Sequence, residues 1–176
     1  RLTAQRSLLE RKDPKTADLI DRTRLEDRRL VHALWLMPAI GALTEDHVGF
    51  ALGMTAPGIR EHGLRLAESF LAKSERARKA LVNFVNDESP HVRLQLAFSL
   101  GAMPANEAGP ALAKLLMRPD ADTWLQSAVL SSAADCAPAL LQALLSEPSK
   151  AGTTISRLAA MIGAKGDDVE IAAVLN

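Results

Sequence analysis

The 176-residue chain has no tyrosine, and its aromatic residues amount to only 3%. Its core must therefore come from Ala, Leu, Val and Ile, a palette that suits closely spaced helices. A single cysteine, Cys136, excludes an intrachain disulfide and a zinc site of the multi-cysteine kind. Formal net charge is zero. That argues against nucleic acid as a partner, because neutralising phosphates takes an excess of Lys and Arg. The charge is only mildly uneven: residues 1–88 carry 15 basic and 13 acidic side chains, and residues 89–176 carry 6 and 8. No apolar run reaches the roughly 18 residues of a membrane span, so no membrane insertion by this chain is expected. No signal peptide is visible. The chain opens on Arg1 inside a helical pattern, as a segment excised from a longer multidomain protein would. Gly-rich phosphate loops, G-x-S-x-G, H-E-x-x-H and Cys-x-x-Cys-His are missing. The expectation is no catalytic residue, no cofactor-binding residue and no metal ligand set in this segment.

What is present is a repeat of about thirty-one residues. The segments LVHALWLM (30–37), REHGLRLA (60–67), RLQLAFSL (93–100) and WLQSAVLS (124–131) align. Their third positions are His32, His62, Gln95 and Gln126, continued by Arg157, at steps of 30, 33, 31 and 31 residues. A breaker and a second apolar stretch follow each segment. A period of this size marks a helical hairpin that cannot bury its own apolar face and must stack on its neighbours. The expected fold is all-α: a right-handed α-solenoid, or α-α superhelix, of about six HEAT-like hairpins in one domain over residues 1–176.

Local signals place the helices at Leu2–Lys12 and Lys15–Arg24, Asp27–Ile40 and Glu45–Leu52, then Pro57–Leu71 and Glu75–Asn86. Pro90–Ala102 and Pro110–Met117 follow, then Asp122–Ala134 and Pro138–Ser146, and finally Ser149–Gly163 and Asp168–Leu175. Gly41 is set to end one helix and Thr44 to cap the next. Pro38 is expected to kink or shorten the last turn before Gly41. Ser89-Pro90 reads as a cap with proline in first position. Val92, Leu96, Ala97 and Leu100 form one apolar face.

Stacked hairpins usually bind or hold other molecules, so scaffold is the expected class and enzyme is not. The second helices are expected to line a concave face, with Asp46, His47, Arg76, Lys79, Asn83 and Lys114 as its polar, partner-facing residues. Trp124 stands in the place of Arg60 and Arg93, where its ring either covers the seam or meets a partner. Trp35 is expected on the core side. His32 and His62 should stand about 10 Å apart, the helix spacing, as a polar ladder with Gln95, Gln126 and Arg157. His47 and His91 lie near helix starts. Cys136 is expected in a loop, as a structural residue.

The stretch from Asp87 to Gly101, D-x-x-P-x-V-R-x-x-x-A-x-x-L-G, resembles a HEAT repeat. The resemblance implies that Arg93 lies near the seam between repeats and pairs with a loop acid, Asp87 or a neighbour. Longer stretches carry a second resemblance: RLTAQRSLLER (1–11), HALWLMPAIGAL (32–43), REHGLRLAE (60–68), WLQSAVLSSAA (124–134) and AAMIGAKGDDVEIAAVL (159–175). Together they are similar to the helical-repeat region of the large membrane-bound dehydrogenases of planctomycetes. That family has a β-propeller like that of sorbosone dehydrogenases, then HEAT repeats, then a c-type haem domain. The resemblance implies a spacer segment of an exported oxidoreductase, with haem elsewhere and flanking domains or another protein as partners. The competing class is a free-standing HEAT-like protein binding a ligand or nucleic acid, such as the bilin-attachment lyases or the DNA-alkylation-repair solenoids. The latter would need a basic concave stripe with aromatic residues.

Overall fold

The computed structural model describes residues 27–146 and 152–175. The hairpin expected over residues 2–24 lies outside them. Among the described residues every regular element is helical. No helix there is long and apolar enough to cross a membrane. The chain divides into two compact units, Arg1–Ala67 and Glu68–Asn176.

The first unit holds α1 (Asp27–Ile40), α2 (Glu45–Leu52) and most of α3 (Pro57–Leu71). Helix α1 buries Leu30, Leu34 and Met37, an i, i+4, i+7 stripe. It runs through Pro38 to Ile40 and ends where sequence placed the end. Gly41 takes φ +72°, a left-handed conformation that costs glycine little. The Gly41 N–H donates to Pro38 O at 3.2 Å and the Ala42 N–H to Met37 O at 2.9 Å, which closes the helix end as a Schellman motif. Helix α2 opens on Thr44, whose hydroxyl accepts the His47 N–H at 3.3 Å. At Gly63 of α3 a Cβ would stand 3.1–3.2 Å from Leu52 and Ala51, so α2 lies close upon α3. Trp35, expected in the core, is instead 40% exposed. Its neighbours Leu34 and Leu36 take the buried positions.

The second unit begins in α3 and holds α4 (Glu75–Val82), a 3-10 turn (Asn83–Asn86), α5 (Pro90–Leu100), α6 (Ala105–Leu116), α7 (Thr123–Ser132) and α8 (Ala137–Leu145). It ends with α9 (Gly152–Lys165) and α10 (Asp168–Leu175). Helix α5 packs on α7, α6 packs on α8, and α8 also meets α9 and α10. Val92, Leu96, Ala97 and Leu100 of α5 are fully buried, as their spacing predicts. Leu112 and Leu115 of α6 and Leu140 and Leu144 of α8 complete the central core.

Several boundaries differ from the sequence expectation. Helix α4 tightens into the 3-10 turn at Asn83 rather than running on to Asn86. Helix α6 begins at Ala105, five residues before Pro110, with the Pro104 carbonyl accepting the Glu107 and Ala108 N–H groups at 2.9 Å. Pro110 therefore sits inside the helix, where it removes one donor. Both it and Asn106, whose carbonyl it leaves unserved, face solvent. Gly109 is where α6 approaches α8. A Cβ there would be 2.6 Å from Leu140 N and 2.7 Å from Ala139. Helix α9 runs past Gly163 to Lys165, and Gly166 at φ +66° ends it.

The caps also correct the repeat register. The N-caps Ser89 and Asp122 are thirty-three residues apart, and so are the first helical residues Pro57 and Pro90. Gln126, rather than Trp124, therefore takes the place of Arg60 and Arg93. Trp124 takes the place of His91, in the exposed first turn.

Candidate functional site

Arg60 and Arg93 each fold back over the loop before their own helix. Arg60 Nη1 donates to Met54 O at 3.0 Å and Thr55 O at 2.6 Å. Arg93 Nη1 donates to Asp87 O at 2.6 Å and Glu88 O at 3.1 Å, the carbonyls at the same two offsets. A guanidinium suits this role because its planar fork serves several acceptors at once. Arg93 is buried, and its Nη2 also reaches Asp120 Oδ2 at 2.6 Å, in the loop before α7. The loop acid that this guanidinium meets is thus Asp120, while Asp87 Oδ1 accepts the Ser89 N–H at 2.9 Å. Asp120 also receives Arg118 Nε at 2.9 Å. The hydrogen bond from Arg118, and then the charges of Arg93 and Arg118, hold the Asp120 carboxyl below its usual range. Arg118 Nη1 reaches Val85 O at 3.3 Å, so the cluster ties the 3-10 turn to the α6–α7 loop. Arg93 Nε is buried and has no acceptor. These contacts tie the loops before α5 and α7 together.

A second tie joins α4 to the first turn of α6. Arg78 Nε lies 2.9 and 3.0 Å from the two Glu107 carboxylate oxygens, while Nη1 donates to Leu71 O at 3.0 Å. A third chain runs from Gln95 Nε2 to Ser99 Oγ (3.1 Å) and from the buried Ser99 hydroxyl to Glu68 Oε1 (2.6 Å). Two members of the expected polar column have contacts of their own. Gln95 bonds Ser99, and His62 bonds Trp35, whose indole Nε1–H donates to His62 Nδ1 at 3.1 Å. His62 also lines an open hollow of about 450 Å³ with His32, Val31 and the Ala56–Ile59 start of α3.

Of the expected partner-facing residues, Arg76 and Lys79 stand exposed on α4, Asn83 at the head of the 3-10 turn and Lys114 near the end of α6. The 3-10 turn packs on α6, so these residues lie on neighbouring elements. Lys79 is paired with Glu75 at 2.6 Å, one helical turn away. Asp46 is exposed on α2. His47 is not a surface residue: it is buried, and its Nδ1 accepts the Thr44 N–H at 3.2 Å and lies 2.8 Å from Thr44 Oγ1. It completes a capping box from the position that Glu or Gln usually holds. Trp124 is 75% exposed, which decides between seam and surface in favour of surface.

Cys136 is buried beside Ser132 O, to which its thiol points at 3.8 Å. Burial, with Asp135 adding to it, pushes the thiol up to about 11, so it is a poor nucleophile near neutral pH. Among the described residues no three His, Cys, Asp or Glu side chains gather as a metal site would require. Asp120, Arg118, Glu107 and Ser99 escaped the sequence reading. The Arg118-Pro119-Asp120 turn just before the Asp122 cap is the signal that could have found two of them. Compared with protein-family models, curated proteins and solved structures, the chain matches none.

Proposed function

We propose that the chain is a non-catalytic scaffold: a right-handed α-solenoid of about six HEAT-like hairpins that spaces and contacts other domains. The observation that carries this is the packing order in the second unit, α5 on α7 and α6 on α8, first helix on first and second on second. That is how repeats sharing one continuous core stack. Two successive arginines support the same reading, since Arg60 and Arg93 brace their loops at identical offsets. The ordered ionic contacts serve loops and seams, which is structural work.

On this reading Arg76, Lys79, Asn83, Lys114 and Trp124 face a partner, with Asp46 on the first unit. His47 leaves that group because its ring is spent on the α2 cap. The resemblance to the planctomycete dehydrogenases supplies the wider setting: a spacer in an exported oxidoreductase, its c-type haem on another domain. The partners are then flanking domains of the same protein, and this segment takes neither haem, metal nor nucleic acid. The test compares thermal unfolding and amide exchange of the chain with and without the neighbouring regions encoded by its gene. The spacer reading expects a higher midpoint and new protection at Ile171–Leu175. Unchanged stability and exchange contradict it.

A further inference from the structure

We propose that the Trp35–His62 contact is a proton-released latch between α1 and α3, closed while the imidazole is neutral and opened when it takes up a proton. The geometry defines the tautomer. Trp35 Nε1–H donates to His62 Nδ1 over 3.1 Å, with the rings edge-on at 90° and their centroids 6.0 Å apart. An indole nitrogen is a donor only, so Nδ1 must keep its lone pair and the neutral ring carries its hydrogen on Nε2. Protonation places a hydrogen on Nδ1 as well. Two donors then face each other, and the bond is lost. Because the imidazole also lines the hollow beside His32, solvent protons can reach it.

The groups around His62 favour the closed state at neutral pH. On its own helix stand Arg65 and Glu61; α1 carries Arg29 and His32. Helix α2 meets α3 at Gly63 through the apolar Ala51 and Leu52, and carries its ionisable residues, Glu45, Asp46 and His47, in its first turn. Burial first and Arg65 second lower the proton affinity of His62 below the ordinary 6.5, with Glu61 opposing them. The sign follows. A base whose affinity falls on folding leaves the latch's contribution whole above 6.5, and that contribution is lost as pH drops through the folded value.

The chain suits a direct test because it has two tryptophans. Trp124→Phe removes the exposed one and leaves Trp35 as the sole reporter. Its emission is followed from about pH 8 to about pH 4.5, with helix content by circular dichroism alongside. The latch predicts a one-proton change in intensity and a red shift centred below 6.5, at constant helicity. His62→Gln keeps an acceptor without titrating, and should abolish the transition; His32→Gln should leave it. Flat emission, a transition that survives His62→Gln or vanishes with His32→Gln, or a parallel loss of helix overturns the proposal. Ring-nitrogen chemical shifts on the unsubstituted chain give a second check that needs no variant. A bare Nδ1 and protonated Nε2 at neutral pH agree with the latch, and the opposite tautomer contradicts it.

Discussion

Arg93 Nη2 lies 2.6 Å from Asp120 Oδ2, so a buried guanidinium in α5 is joined to a carboxylate twenty-seven residues further along the chain. The two ends of this pair are not equal. Arg93 is 5% exposed and Asp120 48%. Arg93→Ala strips the Asp87 and Glu88 carbonyls of their donor along with the ion pair. It should cost roughly 3 kcal/mol in denaturant unfolding. Asp120→Asn should cost clearly less, because water solvates much of what it loses. The Asp120 carboxyl is held low in the fold, so its contribution is present above the unfolded value near 3.8 and is lost as pH falls through the folded one. Asp120→Asn should therefore flatten the acid limb of the stability profile. Equal losses from the two variants, or an unchanged acid limb, would show that the cluster is not organised around Arg93.

Gly109 is expected to be irreplaceable for a reason outside its own helix. Alanine there gains helix propensity, up to about 1 kcal/mol. Its methyl, however, would enter the space 2.6 Å from Leu140 N, which is backbone and cannot rotate away. Gly109→Ala should thus destabilise by about 1–3 kcal/mol, as overpacking does. A stabilised variant would mean that α6 and α8 do not touch at this point.

The cap of α2 predicts a rank order. Thr44→Ala should cost about 1 kcal/mol, the usual loss for an N-cap hydroxyl. His47→Gln should be tolerated better than His47→Ala, since glutamine can return the hydrogen bond to the Thr44 N–H. Chemical denaturation of the three variants checks this. Equal effects of Gln and Ala would reduce His47 to a packing residue.

Cys136 should resist modification. With its thiol raised to about 11 and buried, the thiolate is scarce near neutral pH. Labelling by a disulfide reagent should be slow in the native chain and fast in denaturant. Rapid native labelling would place the residue at the surface.

The parts of this fold that could be read in the sequence are those decided within one or two turns. Thr44 and Ser89 cap the helices assigned to them, and Gly41 ends α1, because each acts on backbone three to five residues away. Leu96, Ala97 and Leu100 were legible from periodicity alone. The failures have two causes, a partner distant in sequence or an unusual residue in a familiar role. Pro110 looks locally like a helix start, yet the helix begins five residues earlier at Ala105. The exposure of Trp35 rests on His62 as much as on its place in α1. His47 was read as surface because histidine is an uncommon third residue in a capping box. Asp120 was missed because nothing local links it to Arg93. Trp124 was open between seam and surface on sequence alone, and the register that placed it was two residues off; its 75% exposure puts it at the surface.

The stacked-repeat account is tested most directly by native-state amide exchange along the chain. If hairpins stack in sequence, protection follows the number of neighbours. The slowest amides should lie in α5 to α8, and protection should fall through α9 to the fastest exchange in α10. Protection in α10 that equals or exceeds that of α5 and α7 would contradict it.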